Sequence, residues 1–518
     1  MFKVQLYFPP AYECSYPPLG ISALFGFLSS KDIDVNQRDL NIEYFDYIRE
    51  NNLTHVMSSL FAKQKKPGFA YYSQLIPEGE DVNYPHIRYL YENNPGSSYL
   101  FTERILSSSL LFRYVKDSKE NLFYKFFQNK IMADIKSQRP NLIGLSIIAP
   151  SQVIAAFTLG YLIKDACPDI HVTIGGSWVS LYKDELKNRP EFMAFFDTII
   201  FFEGETPLYE LIRQLCTNGP LSKVSNLIYK ADSKFVESKV ISEENLDSLP
   251  SPDFEGLPLD KYSSNLKKDV TLPFETARGC YWNKCVFCAH LPIPKPRYRE
   301  KNPDLILRDM KFLLRKYKVT HFAVSNPVFS PRQMREVCNR IFAEKIKITW
   351  DCLSRLDKGF TKNLLGLAKE AGCKTINFGL ESMNPRILRL MHKGNHKRLV
   401  IRIIKDCHSL GVGFYLQVIV GFPTETVEEA LDTVKFLVDY KKYFKGAVFN
   451  IYHLMPRNHI YENPKKYCIK YKKDISFKFF HKFEHTKKGC INKKCAENLI
   501  KLSQKLGINV ISCSKNLS

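Results

Sequence analysis

Apolar positions along the chain fall into two runs of alternating strand and helix, separated by a proline-rich break. In the first run, Phe2 to Phe8 reads as a strand. Pro9-Pro10 stops it, because proline has no N–H to give a ladder. Ile21 to Leu28 predicts a helix and Asp34 to Asp39 a second strand. Asn141 to Ile148 is a continuous apolar run, the pattern of a strand covered on both faces. A helix over Ala155 to Ala166, strands over His171 to Ile174 and Asp197 to Phe202, and a helix over Pro207 to Leu215 complete the run. This alternation predicts an α/β fold with a Rossmann-like, doubly wound parallel sheet over residues 1–216. Such sheets take ligands beyond the carboxyl ends of their strands. Ser146, Gly175-Gly176-Ser177 and Glu203-Gly204-Glu205 fall at that edge.

Residues 51–135 exceed what this sheet needs. They are rich in aromatics (Phe69, Tyr71, Tyr72, Tyr89, Tyr91, Tyr99, Phe101), and Leu106 to Tyr114 and Leu122 to Ile135 carry helical spacing. They read as a helical insertion with a small core of its own, or as a cap or peptide-docking surface. Residues 217–271 read as a linker. It holds a hairpin of Asn226 to Tyr229 with Lys234 to Val240, then Leu249-Pro250-Ser251-Pro252-Asp253.

From residue 272 the second run begins. Strands are expected at Leu272 to Ala277, Val319 to Val324, Ile346 to Cys352, Lys374 to Phe378, Phe414 to Val420 and Ala447 to Tyr452. Asn302-Pro303, Ser330-Pro331, Asn384-Pro385 and the Thr426/Glu429 capping box start intervening helices. Six β/α units with right-handed crossovers predict a partial (β/α)6 TIM-type barrel over 272–465, with its chemistry at the carboxyl ends of the strands. Residues 466–518 form a lysine-rich extension.

Bulk properties narrow the picture. The 518 residues allow about three domains, and 45% apolar content suits a folded chain. Fourteen cysteines are scattered, several inside predicted elements (Cys167, Cys338, Cys352, Cys407), which argues for reduced thiols and against a disulfide framework. No signal-peptide layout opens the chain, and no apolar run approaches the ~18 residues that span a bilayer. A cytoplasmic protein without a membrane partner is the expectation. The net charge of +22 could serve RNA or an acidic peptide, but the basic residues are spread out. Nucleic-acid binding is signalled by clustering, so nucleic acid is not the expected partner.

The chemistry concentrates in Glu275 to Cys288. Cys280, Cys285 and Cys288 stand at C-x4-C-x2-C spacing on the loop leaving a strand. Thiolates on one tight loop suit an iron–sulfur cluster, and three ligands leave one iron open. A structural zinc loop or plain reduced cysteines are the rival readings.

Arg278-Gly279-Cys280-Tyr281-Trp282 through Cys288 resembles the cluster loop of radical S-adenosylmethionine (SAM) enzymes, in the subgroup that also carries a cobalamin-binding domain. The usual spacing there is C-x3-C-x2-C; this chain has one more residue in the first gap. The resemblance implies that the three cysteines hold a [4Fe–4S] cluster and that Phe287 lies against the adenine of SAM. It carries Glu381 and Ser382 of Phe378-Gly379-Leu380-Glu381-Ser382 over as SAM contacts, and Gly421 of Gly421-Phe422-Pro423-Thr424-Glu425 as room for the adenine. Arg355, at the end of the third strand, would grip the SAM carboxylate; read without the family, a surface salt bridge serves it equally. Ser325-Asn326-Pro327 departs from the acidic residues usual in relatives.

The N-terminal half is similar to the cobalamin-binding domain through Pro17-Pro18-Leu19-Gly20, Gly144-Leu145-Ser146, Ile174 to Ser177 and Glu203-Gly204-Glu205. The resemblance implies cobalamin contacts at Leu19, Gly20, Ser146, Gly175, Gly176, Ser177, Glu203 and Glu205. The Asp-x-His-x-x-Gly motif that supplies an axial histidine is absent after the first strand, so cobalamin without a protein ligand, or a domain that has lost it, both stay open.

The implied activity is reductive SAM cleavage to a 5′-deoxyadenosyl radical, coupled to cobalamin-dependent C-methylation of an unactivated carbon in a peptide or natural product. The alternatives are a radical SAM peptide epimerase, cyclase or rearranging enzyme without methyl transfer, and tRNA modification. Partners would be a peptide or small-molecule substrate and an electron donor such as a flavodoxin or ferredoxin. Cys490-x4-Cys495 and Cys513 allow a second cluster or remain spare thiols. Tyr461-Glu462-Asn463-Pro464 resembles relatives that modify ribosomally made peptides.

Overall fold

The computed structural model of the chain describes residues 2–12, 15–51, 108–119, 121–262, 270–288, 298–471 and 483–512. Its internal contacts divide it into two compact units that meet at Thr271/Leu272. Each is described by itself.

The first unit is built on seven strands: β1 (Lys3–Phe8), β2 (Asp34–Asp39), β3 (Leu142–Ser146), β4 (His171–Gly175), β5 (Thr198–Ile200), β6 (Leu227–Ala231) and β7 (Lys234–Glu237). They lie in the order β2-β1-β3-β4-β5-β6-β7. The first five are parallel, and the order reverses between β1 and β3, the switch point where doubly wound sheets leave a crevice. The hairpin expected in a linker is instead the edge of this sheet. Ile199 pairs with Ile228 and Tyr229 with Val236, both antiparallel. Leu227, Ile228 and Phe235 are buried, so the hairpin was drawn onto the sheet by its apolar face.

Helices α1 (Leu19–Ser29) and α2 (Leu40–Glu50) follow β1 and β2, and α3 (Ser108–Val115) and α4 (Met132–Gln138) precede β3. After β3 comes α5 (Val153–Ala166), after β4 the short α6 (Ser177–Leu181), and after β5 α7 (Glu205–Thr217). Helix α5 is apolar on almost every side and buried from Val153 to Gly160, which requires a cover on both faces. The described part of the insertion supplies part of that cover and closes no separate core. Phe112 packs on Phe195 (5.1 Å between ring centres), and Asn121 Nδ2 donates to Thr158 Oγ1 of α5 over 2.8 Å. The seven aromatics singled out above, Phe69 to Phe101, lie outside the described residues.

The second unit carries β8 (Thr271–Phe274), a small antiparallel ladder of β9 (Ala277–Arg278) with β10 (Arg299–Glu300), then β11 (His321–Val324), β12 (Thr349–Arg355), β13 (Cys373–Glu381), β14 (Gly413–Val420) and β15 (Gly446–Ile451). A short β16 (Ile469–Lys470) pairs with β17 (Glu484–His485), and β18 (Val510–Ser512) comes last. The main sheet runs β18-β15-β14-β13-β12-β11-β8, with parallel pairing from β11 through β18. Between strands lie α8 (Pro303–Tyr317), α9 (Pro331–Ala343), α10 (Lys362–Glu370), α11 (Pro385–Leu390), α12 (Lys397–Ser409), α13 (Val427–Tyr440) and α14 (Lys493–Lys505). The expected caps are made: Asn302, Ser330, Asn384 and Thr426 each accept backbone N–H groups of their helices.

This sheet has seven strands where the pattern predicted six. The lysine-rich extension is not an appendage, since α14 and β18 add a further β/α unit beside β15. The lysines mask an apolar face of Ala496, Leu499 and Ile500, all buried. Strand β12 also runs three residues past its expected end, because Ser354 and Arg355 pair with Phe378 and Gly379. Among the described residues no helix is long and apolar enough to cross a membrane.

Candidate active site

Beyond β8 the chain enters the cysteine loop, and its entry is clamped. Asn326 is buried, and its Oδ1 accepts the N–H of Thr276 (2.8 Å) and of Ala277 (3.2 Å). The position that departs from an acidic residue thus fixes the strand leading to the loop. Gly279 has φ +84°, a left-handed turn that glycine makes at least cost, and delivers the chain to Cys280. Cys280, Cys285 and Cys288 are all partly exposed, and Cys288 N–H bonds the Cys285 carbonyl (3.3 Å). Between them Val286 is a buried anchor. Its N–H donates to Met391 O (3.2 Å), and its side chain packs with Met391, Phe422 and Tyr452. Phe287 lies against the same apolar cluster, and its carbonyl accepts from Asn458 Nδ2 (3.2 Å).

Three partly exposed thiols on one loop are a donor set that an iron–sulfur cluster takes. Among the described residues, no three His, Cys, Asp or Glu side chains converge on one metal-ion position. A four-iron cluster takes each thiolate on a different iron.

A polar layer at the ends of β12 and β13 backs the loop. Arg355 is 5% exposed, which removes the surface salt-bridge reading. Its Nη1 lies 3.8 Å from Cys285 Sγ, its Nη2 donates to Lys393 O (2.6 Å), and its guanidinium sits 4.2 Å from the Trp282 ring centre. Burial pushes the Cys285 thiol up, while the Lys393 and Arg355 cations act the other way and favour thiolate. Lys393 Nζ donates to Glu381 Oε1 (2.8 Å) with both side chains nearly buried. Glu381 itself has φ +66°, at an irregular step in the β13–β14 register. For a residue with a Cβ that conformation costs of the order of 1–3 kcal/mol, and such strain collects at functional sites. Asn395 Nδ2 bonds Gly379 O and Leu380 O, and its buried Oδ1 has no partner among the described residues. Lys393 and Asn395 were missed as site residues. Their signal was the Met391-His392-Lys393-Gly394-Asn395 run soon after Glu381.

Ser382 does not face this layer. It is fully buried, its Oγ accepts from Asn384 N–H (3.1 Å) and pairs with Thr433 Oγ1 (3.3 Å), so its hydroxyl serves the start of α11. Gly421 has φ +80°, and a Cβ there would meet nothing nearer than 3.9 Å. Conformation, not space, calls for glycine. Gly421 N–H donates to Glu425 Oε2 (2.6 Å), and burial pushes the Glu425 carboxyl up to about 8.

In the first unit the carboxyl edge gathers several expected residues. A Cβ on Gly20 would lie 3.7 Å from Ser146 Oγ, so α1 and β3 meet there. Leu19 is half-buried beside them. Gly175 ends β4, and Gly176 (φ +109°) leaves no room for a Cβ against the Ile147 carbonyl. Ser177 Oγ donates to Ile148 O (3.2 Å). Ser151 Oγ, at the same edge, is buried with no partner among the described residues. Glu203 and Glu205 depart from expectation. Glu203 is 9% exposed and its Oε2 accepts the Glu244 N–H (2.6 Å), while Glu205 is 5% exposed at the start of α7. The Glu203 carboxylate ties the segment that follows the edge hairpin to the end of β5, since a buried carboxylate must find a donor; Glu205, also buried, complements the N-terminus of α7.

Comparison with known proteins bears on the domain and on the fold. The profile of the radical SAM superfamily matches residues 274–437. An uncharacterised methyltransferase of Pyrococcus horikoshii is 29% identical over 319 residues, 60% of this chain and 67% of its own. The solved structure of the radical SAM methyltransferase TsrM from Kitasatospora setae, with cobalamin and a [4Fe–4S] cluster bound, aligns with a TM-score of 0.62 at 14% identity, over 99% of this chain and 91% of that one. The cobalamin-dependent radical SAM enzyme OxsB, with aqua-cobalamin and SAM bound, aligns with a TM-score of 0.60 at 15% identity, over 98% of this chain but 61% of its own. At such identities the likeness is one of fold, and it extends across both units. Residues 274–437 form a radical SAM domain, and the chain that carries it is an enzyme.

Proposed function

We propose that this enzyme cleaves SAM reductively at a [4Fe–4S] cluster held by Cys280, Cys285 and Cys288, and uses cobalamin on its N-terminal sheet to methylate an unactivated carbon of a peptide or small-molecule natural product. The observation that carries the reading is Arg355, buried at the end of β12 with its guanidinium 3.8 Å from Cys285 Sγ. A buried cation there favours thiolate and leaves a charged fork beside the cluster position. When bound, the cluster and SAM supply a 5′-deoxyadenosyl radical, and the corrin supplies a methyl group.

The chain's own groups have separate tasks. Lys393 holds the Glu381 carboxylate in place to accept from the SAM amino group, and Arg355 offers its remaining N–H groups to the SAM carboxylate. The sheet walls exclude water so that a substrate hydrogen, not solvent, is attacked. In the first unit Gly20, Ser146, Gly175 and Gly176 let a corrin approach the backbone, and Ser151 offers an unpaired hydroxyl. Supporting the cobalamin assignment are the TsrM and OxsB folds. The free cysteines suit the reducing cytoplasm.

The test is anaerobic reconstitution followed by hydroxocobalamin loading. Near-stoichiometric corrin together with 5′-deoxyadenosine formed from SAM and dithionite is expected. SAM cleavage without corrin would remove methyl transfer. It would select an epimerase, cyclase or rearranging enzyme instead, a reading favoured by Glu203 and Glu205 being buried, the Glu203 carboxylate held by Glu244, and by the missing axial histidine.

A further inference from the structure

Beside the polar layer around Arg355, the second unit carries a groove of about 930 Å³ lined by residues of α11, α12 and α13 and of the loops next to them. Its floor is apolar: Met383, Leu388 and Phe436. Its rim is mainly cationic, with Lys284, Arg389, Lys397 and Lys435 all exposed, beside His392 and His396. Two exposed carboxylates, Asp432 and Asp439, also stand on it. Trp282 also lines it. The Lys284 ammonium lies 5.1 Å from its ring centre, and the Arg355 guanidinium lies 4.2 Å from it. Arg355 in turn approaches Cys285 Sγ to 3.8 Å. Two short contacts in series therefore connect the groove to a thiol of the cysteine loop, and Asn395, which bonds the end of β13, also lines it.

We infer that this groove is the docking surface for a small acidic one-electron carrier protein, and that Trp282 marks its point of closest approach to the cluster. The inference rests on the cluster assignment made above. Three properties of the groove fit such a partner. Redox encounters use small interfaces, and the four rim cations and three apolar floor residues make a small patch. Positive potential steers an acidic protein and raises its rate of encounter. The apolar floor accommodates the uncharged patch around an exposed flavin edge or iron–sulfur loop. In the step itself the reduced carrier loses one electron and the cluster gains it, with no proton or bond exchanged. An RNA would find the same cations, but it has no use for the apolar floor or for the link to Cys285.

The experiment uses the full chain with Arg389→Glu, Lys397→Glu and Lys435→Glu combined. All three are exposed and none belongs to the SAM or cluster site. An acidic flavodoxin and a plant-type ferredoxin are titrated against wild type and variant at low and high salt. Formation of 5′-deoxyadenosine is then driven either by the reduced carrier or by dithionite. At least one carrier should bind about tenfold more weakly to the variant and lose its salt dependence. Carrier-driven cleavage should fall, while dithionite-driven cleavage stays at the wild-type rate. Equal binding of both carriers to wild type and variant would overturn the inference, as would displacement of the bound carrier by single-stranded RNA. Loss of dithionite-driven cleavage in wild type would instead strike the cluster reading, and the titration would still decide the docking surface.

Discussion

The Lys393 ammonium donates to the Glu381 carboxylate over 2.8 Å, with only 6% and 10% of the two side chains exposed. Lys393 also presents its backbone carbonyl to Arg355, so one residue holds both the anion and the cation of the site. Removing one partner of such a pair leaves an uncompensated buried charge. Lys393→Met should therefore cost about 3–5 kcal/mol in urea unfolding. Adding Glu381→Gln should restore part of that loss. Gly379→Ala should disturb the same pair, because a Cβ there would lie 2.5 Å from Glu381 Oε1 and 2.6 Å from Lys393 Nζ. If Lys393→Met is as stable as wild type, the pair contributes nothing.

Arg355 separates charge from geometry. Arg355→Lys keeps a cation but loses the fork that reaches Lys393 O and stacks on Trp282. SAM affinity, read by calorimetry on reconstituted protein, should fall about tenfold while bound iron stays constant. Wild-type affinity in this variant would remove Arg355 from the SAM site.

The cysteines divide into two classes. Replacing Cys280, Cys285 or Cys288 by Ala should abolish iron–sulfur absorbance after reconstitution. Cys490→Ala and Cys495→Ala should leave iron content unchanged. Iron lost on changing either of the latter would show a second cluster site.

Glu425 should make stability fall as pH rises. Burial lifts its carboxyl from 4.5 to about 8, outweighing the N–H groups of Gly421 and Phe422, which favour the anion. Because the folded value is the higher one, the contribution is fully present below about 4.5 and is lost as pH rises through about 8. Urea midpoints measured from pH 5 to 9 should decline more steeply for wild type than for Glu425→Gln, which keeps an acceptor for Gly421 but cannot ionise. Parallel profiles would refute this.

Gly20 tests the corrin site without disturbing the fold. It is exposed at the start of α1, where a Cβ meets only Ser146 Oγ at 3.7 Å. Gly20→Phe should block hydroxocobalamin retention and leave the Tm within a few degrees of wild type. Corrin retained at wild-type stoichiometry would move the cofactor elsewhere.

Strand and helix existence, the caps at Asn302, Ser330 and Thr426, and the thiol spacing at Cys280, Cys285 and Cys288 were legible along the chain. Each depends on near neighbours: an apolar period, a cap two or three residues from its N–H, ligands on one loop. What depends on remote partners was not. The lysines of the C-terminal segment hid the buried face that makes α14 and β18 part of the barrel sheet. The edge hairpin looked like a linker because its partner, β5, lies 27 residues before β6 begins. Glu203 and Ser382 sit where a ligand contact would be expected, yet Glu244 N–H and Thr433 claimed them, since a buried polar atom takes the donor or acceptor that packing brings to it. Packing likewise brought Arg355 to Cys285 and Lys393 to Glu381. The sequence by itself determined the enzyme class and the loop that holds its thiols. Only the tertiary structure decided which polar side chains face that loop, because their partners come from strands and turns far apart in the chain.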